Sequence, residues 1–141
     1  MTRSIAELME RQVVAVDIDD TVADIQALFQ RRGLSWAPVL DAGCTVIGVI
    51  GTADLLPFEG DLHDPHKVKA WQLCTYKPLM VADDTPAAEV ARRMVEHKVH
   101  HVVVTDAQGI AGVVSSLDFV RAFAQGVPSD TPVSRAQTSS G

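Results

Sequence analysis

Apolar residues along this chain change period several times, and each change marks an element. Val22, Ile25, Leu28 and Phe29 recur at helical spacing between polar residues, which predicts an amphipathic helix over 22–32. Thr21 stands before it with Asp24 three residues on, and Arg31, Arg32 and Gly33 close it. A hydroxyl cap with an acid in the first turn, then bases and a glycine at the end, is how a helix is punctuated. Two short apolar runs follow, 36–40 and 46–50, on either side of Asp41-Ala42-Gly43. They predict a hairpin. Upstream, Val13, Val14 and Val16 predict a strand. Ser4 with Glu7 predicts a capped helix running to about residue 10. Thr52 is expected to cap a closing helix beginning near Ala53.

The second half of the chain repeats this order. A short helix is expected within 68–76 and a strand over 79–81. Asp84-Thr85-Pro86 opens a helix with proline at its first position, and Val90, Met94 and Val95 line its apolar face. Strands at 102–104 and 110–114 flank the turn 106–109, and a last helix covers 117–124. The repetition extends to single residues. Gly48-Val49-Ile50-Gly51-Thr52-Ala53-Asp54-Leu55 is answered 64 residues later by Gly112-Val113-Val114-Ser115-Ser116-Leu117-Asp118-Phe119. Thr21 aligns with Thr85, Phe29 with Met94, Val39 with Val104 and Asp41 with Asp106, provided the second helix carries one inserted residue. A period of this length signals two copies of one structural unit. The expected division is a first unit at 4–57, a turn-rich linker at 58–67, a second unit at 68–125 and a disordered tail at 126–141.

Composition narrows the class. The chain has 141 residues, of which 47% are hydrophobic, enough for a real core. A copy of ~60 residues is marginal alone, so the copies are expected to share a core. The net charge of −6 argues against nucleic acid as the partner, since that requires a basic footprint. Cys44 and Cys74 form no CxxC pair and read as small buried residues in a reducing compartment. No run approaches the ~18 apolar residues of a membrane span. The first residues lack an apolar signal core, so the expected location is the cytoplasm, with no membrane association.

The order helix, strand, helix, strand, strand, helix, the aspartate after the first hairpin strand, and the doubled Gly-h-h-[ST]-x-x-Asp ending resemble a tandem pair of CBS domains (cystathionine β-synthase domains, together a Bateman module). The resemblance covers about residues 4–124. It implies an α/β (α+β) fold of two CBS units, each a small three-stranded sheet with two packed helices, related by pseudo-two-fold symmetry. It implies a stand-alone regulatory module that binds AMP, ADP, ATP, S-adenosylmethionine or related adenosine compounds in clefts between the units, signals to a regulated protein, and pairs into a homodimer.

The resemblance also assigns roles by position. The hydroxyl residue three places before the aspartate contacts phosphate, and the aspartate accepts from the ribose diol, a charge-assisted arrangement. In the second copy these are Ser115 and Asp118. In the first copy Asp54 is in place, but the hydroxyl position is Gly51 and Thr52 stands one place late. The second site is therefore the better match. Residues leading into the first hairpin strand sandwich adenine: Ser35 and Trp36 in one copy, Val99, His100 and His101 in the other. Trp36 either stacks on a base or fills the cleft. Val81 and Asp83, before the second helix, lie near the family's purine site.

Two rival readings use the same residues. A ligand-free interaction protein built on this fold would account for Gly51 and Trp36. A metal site would use His97, His100 and His101, with His63 and His66, but no cysteine or acidic ligand joins them at a recognised spacing. No enzymatic activity is expected. There is no Gly-x-Ser-x-Gly and no P-loop, and Asp54 and Asp118 hold the same place in their own repeats rather than forming an acid and base with differentiated environments.

Overall fold

The first helix forms where the spacing puts it. In the computed structural model of the chain, which describes residues 3–60 and 63–126, α1 spans Val22–Arg32. The Asp24 N–H donates to the Thr21 hydroxyl at 3.1 Å, and the Thr21 N–H donates to the Asp24 carboxylate at 3.0 Å. This reciprocal cap satisfies donors that the first turn leaves free. Gly33 ends the helix at φ 64, a left-handed turn that glycine makes without a Cβ penalty.

The first sheet has the order β1 (Val16–Asp17), β2 (Trp36–Leu40), β3 (Val46–Gly51) and a late-coming β4 (Thr75–Tyr76). β1 runs parallel to β2, as the α1 crossover requires. The other pairings are antiparallel. Val13 and Val14, expected in the first strand, stay outside it. Pro38 is the reason. It stands next along β2 and has no N–H with which to extend the ladder. In the second copy the matching residue is Val103, whose N–H donates to the Leu79 carbonyl at 3.1 Å. There the strand β5 (Met80–Ala82) begins one residue earlier in the repeat.

The second sheet has the order β5, β6 (His101–Asp106) and β7 (Gly109–Ser115). Short helices α2 (Thr52–Leu55) and α3 (Ala70–Leu73) flank the linker region, and α5 (Ser116–Gly126) follows β7. α4 (Ala87–His97) is the counterpart of α1, and both have eleven residues. The inserted residue expected in the second helix is therefore absent. Pro86 is the N-cap rather than the first helical residue, and it corresponds to Thr21. Backbone bonds agree: Val22 N–H donates to Val68, and Ala87 N–H donates to Arg3. Lys98 takes the place of Gly33, at φ 55. Val95, expected on the apolar face, is 78% exposed, while Val90 and Met94 are buried. One step beyond Met94 turns a side chain roughly 100° around the helix, away from the sheet.

A single shared core was the expectation, and two cores are found. One gathers Val16, Val22, Ile25, Phe29, Val39 and Ile50, and the other Val81, Val90, Met94, Val102, Val104 and Val114. Each core is completed by a segment from the other half of the sequence. Ile5 and Met9 pack in the second core, and Ala70 and Cys74 pack in the first. The backbone follows the same exchange. Ile5 N–H donates to Thr85, while Glu10 and Val113 bond each other in both directions at 2.8 and 3.0 Å. Conversely, Ala70 N–H donates to Asp20, and β4 adds to β3 with Gly48 opposite Tyr76. The first sheet thus has four strands instead of the expected three. The leading segment Ile5–Glu7 is a single 3-10 turn, shorter than the helix expected to residue 10, because Glu10 is drawn into the bridge with Val113.

Cys74 is buried as expected, but Cys44 is exposed. It sits in the β2–β3 turn at φ 63, outside either core. Among the described residues, no helix is long and apolar enough to cross a membrane. The tail expected to be disordered lies, from residue 127 on, outside the described residues.

Candidate functional site

The exchange leaves a cleft of about 1030 Å³ between the two units. Its first-unit wall is the start of β2 (Ser35, Trp36) and the β3–α2 corner (Gly51, Thr52, Asp54). Its second-unit wall is the stretch from the end of α4 into β6, including Lys98, Val99, His100 and His101. The crossing segment Lys77–Met80 runs along it. Seven of the residues singled out in the sequence therefore meet in one place: Ser35, Trp36, Thr52, Asp54, Val99, His100 and His101.

Four others lie elsewhere. Val81 is buried in the second core. Asp83 holds the exchanged N-terminal segment, its carbonyl accepting from Ala6 N–H at 3.2 Å while its own N–H donates to Thr105. Ser115 and Asp118 form the corner equivalent to Gly51 and Asp54, but Asp118 opens into a separate depression of about 170 Å³ beside Arg3, Glu7 and Arg121.

The two corners have the same geometry and different chemistry. Gly51 is the N-cap of α2, which begins at Thr52 rather than after it. Gly51 N–H donates to Asp54 Oδ2 at 2.8 Å, and Ser115 N–H donates to Asp118 Oδ2 at 2.8 Å. Gly51 therefore holds the place of Ser115, and the backbone bond survives without a side chain. Asp118 carries two further partners. The Ser115 hydroxyl donates to its Oδ2 at 3.3 Å, and Arg121 donates to its Oδ1 at 3.0 Å. Among the described residues, nothing bonds the Oδ1 of Asp54. The carboxylate with a free oxygen is the one on the large cleft.

Trp36 and His101 are repeat equivalents, and they meet. Their rings stack with centroids 4.6 Å apart and planes 8° apart, joining the first strand of one hairpin to that of the other. Trp36 thus forms one wall of the cleft. Burial, then the neighbouring His100, hold the His101 imidazole below the usual histidine range, while Asp118 pulls the other way. The sign of the linkage follows. Above the ordinary pKa of about 6.5 the ring is neutral in both folded and unfolded chains. As pH falls toward the lower folded value, the unfolded chain binds the proton first and stability is lost. Urea midpoints are expected to fall over this acid range, and to fall less in His101→Phe, which keeps an aromatic ring against Trp36. An unchanged pH profile in that variant would remove His101 as the source.

The histidines are not grouped as metal ligands. His97 Nδ1 lies 2.9 Å from the Arg93 carbonyl, His100 Nδ1 lies 3.3 Å from the Ser116 hydroxyl, and His101 is stacked. Among the described residues, no cluster of three or more metal-ligating side chains occurs. Sequence reasoning missed Lys77 and Lys98 in the cleft wall. For Lys98 the signal was the repeat itself, which sets it opposite the helix-ending Gly33.

A second concavity, about 390 Å³, lies between α4 and α5 and is lined by Ala91, Met94, Val95, Val99 and Phe119 among others. Beside it α5 exposes Leu117, Val120 and Phe123 at 60%, 60% and 75%, more apolar surface than a helix on a solvated face carries.

Comparison with known proteins bears on this architecture. The family model described as CBS domain matches residues 5–59 and 69–125. Inosine-5'-monophosphate dehydrogenase of Halobacterium salinarum is 29% identical over 104 residues, 73% of this chain and 20% of that protein. The chain spans 32%, 20% and 56% of the lengths of the first three curated relatives it matches. Among solved structures, CBSX2 in complex with AMP aligns with a TM-score of 0.78 at 23% identity, covering 89% of this chain and 99% of that one. The CBS domain pair of protein MJ0100, in complex with 5'-methylthioadenosine and S-adenosyl-L-methionine, aligns with a TM-score of 0.77 at 17% identity, covering 89% and 98%. At these identities the likeness shows a shared fold.

Proposed function

The chain belongs to the CBS domain family, and from that premise we propose that it is a regulatory module that binds an adenosine-containing ligand in the cleft beside Asp54. The ligand class is AMP, ADP, ATP or S-adenosylmethionine. One observation carries the reading: the cleft joins the Asp54 corner of one unit to Val99, His100 and His101 of the other, so a single ligand would touch both. Asp54 accepts from the adjacent ribose hydroxyls through its free oxygen. Thr52 lines the same wall. Val99, Leu79 and Met80 offer apolar surface to the purine. Ligand binding changes the relation of the units to the extent that it favours one arrangement over another, and a regulated partner reads that change. No reaction is assigned to the chain. A second copy is the proposed occupant of the exposed apolar face of α4 and α5, as the family resemblance implies; sedimentation velocity reads this pairing.

Thermal-shift titration of the chain with AMP, ADP, ATP and S-adenosylmethionine tests the proposal. At 100 times its dissociation constant, a ligand stabilises the fold by about 2.7 kcal/mol. Asp54→Ala is expected to weaken binding by about 1.5–3 kcal/mol, the contribution of hydrogen bonds to a charged group. Asp118→Ala removes the equivalent cap from outside the cleft and is the control. It should lower stability and, acting on the cleft through the charge it presents to His101, weaken binding less than Asp54→Ala does. A flat response to all four compounds defeats the proposal, and equal loss of affinity in both variants moves the site away from Asp54.

A further inference from the structure

The symmetry of the fold is not matched by symmetry of charge. Lys77 and Lys98 both line the cleft, together with His97 and His100, and Asp54 is the acid among its lining residues. Sixty-five residues earlier in the repeat the chain has Gln12 and Gly33 in place of the two lysines. Arg32 answers His97, and beside the second corner Arg3 pairs with Glu7 and Arg121 with Asp118, so what sets the large cleft apart is cations without an acidic partner. This concentration of positive charge occurs on a chain of net charge −6. A local cationic cleft on an acidic protein focuses the field on one anion-sized region.

The backbone makes the choice of residue more telling. Lys77 and Lys98 are left-handed, at φ 58 and φ 55. A side chain with a Cβ is disfavoured there, and glycine is the stable choice that Gly33 exemplifies. Both lysines are exposed, and among the described residues neither takes part in an ion pair. Neither packing nor a salt bridge accounts for them. A lysine ammonium is a mobile point charge on a flexible stem, suited to a phosphate group whose distance from the ribose varies.

We propose that the cleft selects phosphorylated adenosine ligands, with Lys77 and Lys98 holding the phosphate end while Asp54 holds the ribose, at one such site per chain. The proposal rests on the adenosine reading above and narrows it. Neutral adenosine lacks the group the lysines bind. S-adenosylmethionine brings a sulfonium cation toward them.

Calorimetry on the full chain, with adenosine, AMP, ATP, S-adenosylmethionine and inorganic triphosphate as probes, separates the two claims. ATP is expected to bind at least about tenfold more tightly than adenosine or S-adenosylmethionine, with one ATP per chain. Added salt should weaken ATP binding and leave adenosine binding unchanged. Lys77→Gly and Lys98→Gly should each lower ATP affinity about tenfold, leave adenosine affinity alone, and not lower the melting temperature, since glycine relieves the backbone. Adenosine or S-adenosylmethionine binding as tightly as ATP, two ATP per chain, or unchanged ATP affinity in both variants would overturn the proposal while leaving the adenosine reading intact. Triphosphate binding as tightly as ATP, with no binding of adenosine, would overturn the adenosine reading and keep the anion site. No binding by any probe overturns both.

Discussion

Replacing Ile5 with alanine is expected to destabilise the protein by roughly 2–5 kcal/mol, the usual cost of truncating a fully buried large aliphatic residue. The loss should appear in the second unit, although Ile5 stands at the beginning of the first. Its side chain is wholly buried among Val81, Val90, Val104 and Val114. Its N–H is bonded to Thr85, and the next residue's N–H to Asp83. Hydrogen exchange resolved by residue is the measurement. Amides of β6 and β7 should lose protection before those of β2 and β3. Preferential loss in β2 and β3 would contradict the exchanged packing.

Gly48→Ala and Gly112→Ala are each expected to cost about 1–3 kcal/mol, the range for forcing atoms into a filled core. A Cβ on Gly112 would stand 2.7 Å from the Glu10 carbonyl oxygen and 2.8 Å from Met9 Sδ. A Cβ on Gly48 would meet the Thr75 carbonyl oxygen at 2.7 Å and Cys74 Sγ at 2.9 Å. In both cases the obstructing oxygen is backbone of the exchanged segment, so relief requires that segment to move off the sheet. The two sites lie in separate cores, and their costs should add. Gly60, where a Cβ would meet nothing within 4 Å, is the control and should tolerate alanine. Urea unfolding midpoints read all three. If Gly48→Ala and Gly112→Ala melt like Gly60→Ala, the close approach of the exchanged segments is not what requires glycine. The glycine that opens the doubled motif is thus a seat for a crossing chain, whereas the aspartate that ends it holds the strand-to-helix corner, with Asp54 on the large cleft and Asp118 outside it.

The elements that the apolar period defines were legible from residues alone. α1 and β2 have the bounds expected of them, because Thr21, Asp24 and Gly33 punctuate the helix locally and the strand is a continuous apolar run. What could not be read was partnership. Nothing near Ile5 or Ala70 in sequence states that each packs with the distant copy. The repeat itself was aligned one residue out at α4, because Thr85 imitates the hydroxyl of Thr21 while Pro86 occupies the cap. The candidate site was half legible. The motif located both aspartates, but it ranked them by the hydroxyl at position 115. In space, that hydroxyl turns back on Asp118, Arg121 takes the other oxygen, and the large cleft opens at the copy with the poorer motif. Charge pairing by a residue outside the motif, and the cavity between units, are tertiary facts that a motif does not carry.

The exchange of leading segments also sets the order in which the chain can become native. A nascent first unit lacks Ala70 and Cys74 until synthesis has passed the linker. The second cannot close its core without a segment made ahead of the first unit. Pairing Glu10 with Val113 joins positions roughly 100 residues apart, so its loop-closure entropy is lost before the contact is gained. The duplication has therefore not produced two independently folding beads. Each half is the template for the other's last contact.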